Sequence, residues 1–234
     1  MLLKMKHTMR ITHVIFDMDG TLIDTVKATL SAFNRVSDEM GLPRVPEKAL
    51  RDAMGIPSFN YYRKVMPGLS DDIITEYARR ADEAENDVMR ILGETLLFDG
   101  IADLLGELAN DGVKLVIAST GSAGHVNTAL EAAGIRRFFT RVYSDHPDKA
   151  ETIKGIPELS ESGVWLMVGD KRIDADAARH NGIFSIGAAF GYCDLHEREF
   201  FDRIVFSPAE LLEYIRRGTA VSPGGKKSAG VNRD

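Results

Sequence analysis

Two aspartates separated by one residue follow an apolar run near the start of the chain, within the segment Phe16–Thr21. Side chains at positions i and i+2 of a strand share a face, so the carboxylates of Asp17 and Asp19 could act on one reacting group. Gly20 permits a tight turn or a close backbone approach directly after them. Asp and Gly are also common where a strand enters a turn, so this segment alone is weak evidence for catalysis.

Polar residues end two further apolar runs in the same way. Ser119 follows the run Val113–Ala118, and Asp170 follows the run Val164–Val168 after one intervening glycine. In an open parallel sheet, ligands bind beyond the carboxyl ends of the strands. Polar residues at the same end of three strands rarely occur by chance, so they predict a functional site at that edge of the sheet.

The elements that must position these groups alternate along the chain. Continuous apolar runs predict strands that are buried on both faces, and the segments between them carry helical periodicity. The predicted strands are Ile11–Phe16, Val113–Ala118, Val164–Val168, Ile183–Ile186 and Ile204–Phe206. The predicted helices are Ile101–Asn110, Ala123–Ala133, Ala175–His180 and Pro208–Ile215. This alternation predicts an α/β fold, with a Rossmann-like parallel sheet core flanked by helices.

One long stretch, from Thr25 to about Phe98, contains no convincing strand. Apolar residues recur there at helical spacing in two series, within 26–40 and within 74–91. Turn signals between the helices occur at Gly41–Pro43 and Met66–Gly68. We therefore predict an all-helical domain of three or four helices, inserted after the first strand.

Domain boundaries follow from this pattern. The core is predicted to comprise residues 10–24 and 99–217, and the helical insertion residues 25–98. Residues 1–9 and 218–234 are predicted to be flexible termini, the second because it is rich in Gly, Ser, Pro and Lys.

The motifs resemble those of haloacid dehalogenase-like (HAD) hydrolases, in particular the branch of phosphoglycolate phosphatases and β-phosphoglucomutases with a small helical cap. Asp17–Leu22 is similar to the first family motif, and Ser119 to the strand-end Ser or Thr of the second. Lys149 is similar to the lysine of the third, and Gly169–Asp174 to the Gly-Asp-x-x-x-Asp pattern of the fourth. The resemblance extends over about residues 11–214. Its first and fourth motifs are specific, whereas the second and third are short.

The resemblance implies a Mg²⁺-dependent phosphatase. Asp17 would attack phosphorus and form an aspartyl-phosphate, while Asp19 would protonate the leaving oxygen and then activate water. Mg²⁺ prefers oxygen ligands, and the implied ones are the Asp17 carboxylate, the Asp19 backbone carbonyl and the Asp170 carboxylate. Asp174 and the turn at Gly20 would support these metal ligands. Asp174 also suits the cap of the helix that follows it, and the two roles are compatible.

The implied phosphate-binding residues leave alternatives open. Ser119 and Thr120 are adjacent, so alternation along the strand lets only one of them face the site. Ser119 is favoured because it directly follows the apolar run. Lys149 would compensate charge on the phosphate and on the nucleophile. Lys154 and Lys171 are alternatives for this role, and only the position in the family pattern favours Lys149 over them.

Several other polar residues are interpreted as structural. The acidic run Asp82–Asp87 is predicted to be a solvated helix face, and Asp24 is predicted to cap the first inserted helix. The six histidines show no metal-ligand spacing. The segment Gly55–Tyr62 joins two inserted helices and is predicted to face the site across the domain junction.

Rival activities fit the residues less well. Dehalogenases and phosphonate-cleaving relatives lack an aspartate at the Asp19 position, whereas sugar-phosphate mutases keep it but carry a histidine near the position of Thr29. A phospho-acceptor receiver domain is shorter and has no helical insertion, and a non-catalytic phosphate-binding protein would not need both carboxylates. The expected partner is a small phosphorylated metabolite, with phosphoglycolate first by resemblance. Pyrophosphate, nucleotide monophosphates and sugar phosphates stay open.

Composition disfavours other partners. A formal net charge of -6 argues against a nucleic-acid or anionic-membrane surface, because both require clustered Lys and Arg. Cys193 is the only cysteine, so no internal disulfide can form, and no apolar run approaches the ~20 residues that span a bilayer. The segment Met1–Arg10 lacks the apolar centre of a signal peptide, so the expected location is the cytoplasm. An oligomeric state is not predicted.

Overall fold

The centre of the fold is a six-stranded parallel sheet with the order β3-β2-β1-β4-β5-β6. The computed structural model describes residues 9–56, 58–160 and 163–218. Its strands are β1 (His13–Phe16), β2 (Lys114–Ala118), β3 (Phe139–Tyr143), β4 (Trp165–Gly169), β5 (Phe184–Ala188) and β6 (Arg203–Val205). The predicted α/β fold with a parallel sheet is confirmed. Apart from residues 9 and 218, the termini that were predicted to be flexible lie outside the described residues.

Among the residues that the structure describes, four α-helices lie between β1 and the rest of the sheet domain, which confirms the predicted helical cap. They are α1 (Val26–Met40), α2 (Glu47–Ala53), α3 (Ser58–Val65) and α4 (Asp71–Leu92). Their shared core is aromatic: the Phe33 ring stacks on Tyr62 and meets Tyr77 edge-on, with a centroid separation of 5.7 Å for the second pair. α1 ends at Gly41, which adopts the left-handed conformation with φ of 64° that commonly terminates a helix.

Five further helices flank the sheet. They are α5 (Ile101–Asn110), α6 (Ala123–Ala132), α7 (Lys149–Lys154), α8 (Arg172–His180) and α9 (Pro208–Arg217). The sequence pattern does not predict α7, which has only six residues, or β3, whose centre exposes Thr140 and Arg141. Within the described residues, every helix is too short or too polar to cross a membrane.

β1 lies at the point where the chain reverses direction across the sheet. From β1 the strand order proceeds outward to β2 and β3, and then returns to β4 on the other side. The register pairs Phe16 with Ile117 of β2 and with Val168 of β4. The carboxyl ends of these three strands therefore lie side by side, and a reversal of this kind opens the crevice in which α/β sheets bind ligands.

The two segments that join the core to the helical cap run next to each other. Ile23 and Leu97 form an antiparallel bridge, and the N–H of Asp24 donates to the carbonyl of Leu96 at 2.8 Å. This pairing is compatible with domain boundaries near residues 25 and 98, which stay a prediction.

Candidate active site

Asp17 directly follows β1, and its side chain faces a cluster of charges. The residue is 7% exposed, and Nζ of Lys149 donates to its Oδ1 at 2.5 Å. Burial is the largest cause that raises the pKa of Asp17; together with the nearby Asp174 and Asp19 carboxylates, and against the lowering effect of Lys149, it brings this pKa to about 7. The positive charge of Lys149 therefore does not offset the burial of Asp17 and the charges of its two neighbouring carboxylates.

Lys149, the first residue of α7, bridges two buried carboxylates. Its Nζ lies 2.5 Å from Asp17 Oδ1 and 2.6 Å from Asp174 Oδ1, and the residue is 3% exposed. Burial alone would lower the pKa of Lys149, but the two carboxylates raise it, so the amine stays protonated. Its rival Lys154 is exposed and pairs with Glu151. Of these two lysines, only Lys149 reaches the site.

Asp170 follows β4 and is fully buried. Its Oδ1 accepts a hydrogen bond from the Thr21 hydroxyl at 2.9 Å, whereas Oδ2 is buried without a partner among the described residues. Burial, followed by the charges of Asp17 and Asp174, raises the pKa of Asp170 well above its ordinary range. A buried carboxylate oxygen without a donor is costly, and its presence indicates that a cation belongs beside it.

Asp174 holds the loop that carries Asp170. Its Oδ2 accepts the backbone N–H groups of Asp170 at 3.1 Å and Lys171 at 3.0 Å, and its Oδ1 accepts from Lys149 at 2.6 Å. These bonds make Asp174 a cap of α8, as the sequence suggested. The helix begins earlier than predicted, at Arg172, so that Asp174 lies inside the first turn instead of before it.

The site fits a divalent cation. Asp17, Asp170 and Asp174 each offer a carboxylate oxygen, and these oxygens lie within 4.8 Å of one another. Hard oxygen donors of this kind suit Mg²⁺. Asp170 has an unused oxygen, whereas Asp174 already accepts three hydrogen bonds, so Asp174 fits a supporting role better than a ligand role. The Asp19 backbone carbonyl stays a predicted ligand.

Asp19 lies at the border of the core and the cap. Its Oδ1 accepts from the Thr25 hydroxyl at 2.5 Å and lies 2.9 Å from Nε2 of His125 in α6. Burial would raise the pKa of Asp19, but the charge and hydrogen bond of His125, together with the Thr25 hydroxyl, hold it below its ordinary value. Asp19 is therefore ionised in this arrangement.

His125 also contacts the cap. Its Nδ1 lies 3.4 Å from Oε2 of Glu85 in α4, and the hydroxyl of Thr29 in α1 donates to the other oxygen of Glu85. Burial would lower the pKa of His125, but the carboxylates of Asp19 and Glu85 raise it well above its ordinary value. A protonated imidazole therefore lies between a core carboxylate and a cap carboxylate.

The interpretation of residues 82–87 as a solvated helix face is wrong for Glu85. This residue is 6% exposed, because it lies on the apolar side of α4, four residues from the buried Ala81 and Met89. His125 was missed, since nothing in its local sequence distinguishes it. The only available signal was that Glu85 interrupts the buried face of an otherwise regular amphipathic helix.

Ser119 and Thr120 both reach the site. They line a narrow cavity together with Asp17 and Lys149, and the buried Ser119 hydroxyl accepts the N–H of Gly121 at 3.1 Å. The rival Lys171 lines the same cavity. Which hydroxyl contacts a bound phosphate stays a prediction.

Gly20 makes a turn that only glycine fits. Its φ is +83°, and a Cβ at this position would lie 2.8 Å from Asp170 Oδ2 and overlap the Tyr192 ring. The prediction that Asp24 caps α1 is wrong: its carboxylate accepts from the Tyr192 hydroxyl at 2.5 Å, and Thr25 precedes the helix without a capping side-chain bond.

The predicted site-facing segment Gly55–Tyr62 does face the site. Gly55, Ile56 and Tyr61 line a cavity that also contacts Asp19, and Pro57 lies outside the described residues. The cap therefore contributes part of the wall around the carboxylates.

Comparison with known proteins identifies the family. A family model described as haloacid dehalogenase-like hydrolase matches residues 14–188. This range extends from the second residue of β1 to the end of β5, and contains the helical cap and all four motifs. The chain belongs to the haloacid dehalogenase-like hydrolases.

Individual relatives differ in their named activities. The chain is 25% identical over 209 residues to a phosphoglycolate phosphatase from Synechococcus elongatus, which covers 86% of this chain and 96% of the relative. It is 32% identical over 221 residues to the tyrosine-protein kinase PtkA from Mycobacterium tuberculosis, which covers 89% of this chain and 72% of the relative.

Solved structures support the same architecture. A haloacid dehalogenase-like family hydrolase from Streptococcus pneumoniae superposes with a TM-score of 0.74 at 27% identity, over 87% of this chain and 98% of that chain. A β-phosphoglucomutase from Clostridium difficile superposes with a TM-score of 0.66 at 18% identity, over 86% and 93%. The second likeness concerns the fold alone.

Proposed function

We propose that this chain is a Mg²⁺-dependent phosphatase that hydrolyses a small phosphate monoester through an aspartyl-phosphate on Asp17. One observation carries the proposal. Asp17 and Asp19, Lys149, and Asp170 come from three separate segments and surround one crevice at the carboxyl edge of the sheet. Family membership and the named phosphatase among the relatives point in the same direction.

Charge balance supports the metal requirement. Four carboxylates line the crevice, those of Asp17, Asp19, Asp170 and Asp174, and a phosphate dianion would add two more negative charges. Lys149 and Lys171 are the only cationic side chains among the described residues that line it. Held by Asp17 and Asp170, Mg²⁺ would neutralise charge and polarise the phosphoryl group.

The first chemical step uses Asp17 as the nucleophile. Lys149 holds one oxygen of this carboxylate, which orients the other toward the phosphorus. The Asp17 oxygen forms a bond to phosphorus as the ester oxygen leaves, and Asp19 donates a proton to that oxygen. Asp19 must therefore be protonated for this step, and a bound phosphate dianion beside it favours the protonated form by like-charge repulsion.

The second step returns the enzyme to its starting state. Asp19, now ionised, accepts a proton from a water molecule as that water attacks the phosphorus of the aspartyl-phosphate. The acyl phosphate bond breaks and releases inorganic phosphate. The Thr25 and His125 contacts stabilise ionised Asp19, so they favour its role as the base. Hydroxyl groups of Ser119 or Thr120 and the amine of Lys149 would donate to the phosphoryl oxygens throughout.

The test is steady-state hydrolysis of p-nitrophenyl phosphate with and without Mg²⁺. We expect metal-dependent release of phosphate, lost on addition of chelator and abolished in Asp17→Asn. Asp103→Asn, an exposed substitution in α5, serves as the matched control and retains activity. Full activity in Asp17→Asn, or activity that chelator leaves unchanged, contradicts the proposal.

The kinase named among the relatives defines the main rival reaction. A kinase would pass the phosphoryl group from ATP to a tyrosine, whereas the proposed enzyme passes it to water. Incubation with ATP and a tyrosine-containing protein separates these outcomes, because phosphatase chemistry produces free phosphate from monoesters without labelling the protein. A mutase would instead convert one sugar phosphate into an isomer without net release of phosphate.

A further inference from the structure

A second cavity, of about 140 Å³, lies against the cap side of Asp19. Asp19, Gly55 and Thr120 line both this cavity and the narrow crevice that contains Asp17. In the proposed function Asp19 protonates the leaving oxygen. A monoester with phosphorus in the crevice therefore extends its alcohol part past Asp19 into the second cavity, which we name the alcohol cavity.

The walls of the alcohol cavity are rich in negative charge. Asp82 and Glu85 contribute two carboxylates besides Asp19, which is protonated in the first chemical step, and the described lining residues include no Lys or Arg. His125 can contribute at most one positive charge, and both of its ring nitrogens already face carboxylates. A carboxylate on the leaving alcohol would therefore be repelled by these negative charges, and the described lining residues offer no free cation to bind it.

The same walls offer many acceptors to hydroxyl groups. A carboxylate has about four lone-pair positions on its two oxygens. Glu85 uses them for the Thr29 hydroxyl and for His125, and Asp82 accepts from the Tyr62 hydroxyl. Each carboxylate therefore retains capacity for a hydroxyl donor from a substrate. The fixed orientation of Glu85, which is bonded from two sides, would make it a directional acceptor.

The volume restricts the part of the alcohol that can be enclosed. An apolar cavity of about 150 Å³ holds benzene, which has six non-hydrogen atoms. The alcohol cavity is of similar size and is open on one side, so an alcohol of about that number of atoms fills it. Glycerol, with three carbons and three oxygens, matches this size and supplies only hydroxyl groups.

From this geometry we infer that the enzyme selects monoesters of short, uncharged polyols and discriminates against monoesters whose alcohol carries a carboxylate. The inference rests on the proposed function and names the substrate class of the same site. The inference therefore argues against phosphoglycolate, the substrate in the name of the Synechococcus elongatus relative, as the substrate of this chain. In phosphoglycolate a single methylene separates a carboxylate from the ester oxygen.

A matched pair of substrates tests the inference. In 2-hydroxyethyl phosphate a hydroxymethyl group replaces the carboxylate of phosphoglycolate, so the two esters have similar size and differ in charge. We expect kcat/KM at saturating Mg²⁺ to be about tenfold or more higher for 2-hydroxyethyl phosphate, and at least as high for glycerol 1-phosphate. A smaller preference, or one for phosphoglycolate, overturns the inference. Preference for phosphoethanolamine over both neutral esters also overturns it, because the selected alcohol would then be cationic.

Variants test whether the cap carboxylates cause the preference. Glu85→Gln and Asp82→Asn each remove one negative charge at nearly constant shape, and each is expected to reduce the ratio of kcat/KM values at least threefold. Glu83→Gln is the control, because Glu83 lies on the exposed face of α4 and pairs with Arg79. Ratios unchanged in both cavity variants overturn the inference. Because the ratio compares two substrates of the same variant, a loss of activity that affects both substrates equally does not change it.

The failures of the two proposals are distinguishable. If p-nitrophenyl phosphate is hydrolysed in an Asp17-dependent manner but phosphoglycolate equals or exceeds the neutral esters, only the substrate class is wrong. If no monoester is hydrolysed at all, the proposed function is wrong and the inference fails with it.

Discussion

Nδ1 of His125 lies 3.4 Å from Oε2 of Glu85, and this contact joins the core helix α6 to the cap helix α4. On its other side, Nε2 of His125 lies 2.9 Å from Oδ1 of Asp19. The orientation of the proposed acid/base group therefore depends on a residue of the cap. When the cap is seated as it is here, the imidazole is held from both sides and Asp19 has a defined position.

The first prediction concerns this positioning role. We expect His125→Asn to reduce kcat about tenfold to a hundredfold for an alkyl monoester, whose leaving oxygen needs a proton. The loss should be much smaller for p-nitrophenyl phosphate, because p-nitrophenolate leaves readily without protonation. Steady-state rates for the two esters provide the measurement. His180→Asn, an exposed substitution in α8, is the control. Equal losses for both esters would contradict a role in leaving-group protonation and would place the effect of His125 on the shared hydrolytic step or on the fold.

The second prediction concerns the buried ammonium group. Lys149→Met removes the cation that bridges Asp17 and Asp174, and leaves two buried carboxylates without it. We expect unfolding free energy at neutral pH to fall by about 3 kcal/mol, and activity to be lost. Urea denaturation measures the first quantity. Lys154→Met removes an exposed lysine from the same helix and should leave stability close to unchanged. Similar stabilities for the two variants would contradict the arrangement.

The third prediction separates backbone strain from steric overlap. Gly20 and Gly41 both have positive φ, but only a Cβ at Gly20 meets other atoms, those of Asp170 and Tyr192. Gly41→Ala should therefore cost about 1–2 kcal/mol of unfolding free energy, the usual penalty for the left-handed conformation. Gly20→Ala should cost more and should also impair metal-dependent activity, because Asp170 must shift. Equal costs with full activity in both variants would disprove the close approach.

Much of the fold was predictable because its strands are buried on both faces. Ile11–Phe16 and Val164–Val168 are continuous apolar runs, and the structure contains strands within one residue or two of these bounds. β3 has Thr140 and Arg141 exposed at its centre, so it gives no such run. Edge strands require less burial than central ones, and their sequence signal is correspondingly weaker.

Asp17 and Asp170 were predictable because each directly follows its strand, and the sheet alone brings them together. Glu85 and His125 are 40 positions apart and meet only through packing of the cap on the core, which no local pattern encodes. Lys149 was distinguishable from Lys154 only by its place in the family motif. The burial of Lys149 and its ion pairs with Asp17 and Asp174 provide the physical reason why this lysine, and not Lys154, belongs to the site.

The central claim is that Asp17 becomes covalently phosphorylated, and trapping the phosphoenzyme tests it most directly. Asp19→Asn removes the base for the hydrolytic step, whereas p-nitrophenyl phosphate needs no acid for the first step. After brief incubation with Mg²⁺ and acid quench, mass spectrometry should find one phosphoryl group on the peptide that contains Asp17. The adduct should be absent with chelator and in the Asp17→Asn/Asp19→Asn double variant. A phosphoryl group on another residue, or substrate turnover in the wild-type enzyme without any adduct in this variant, would contradict the account.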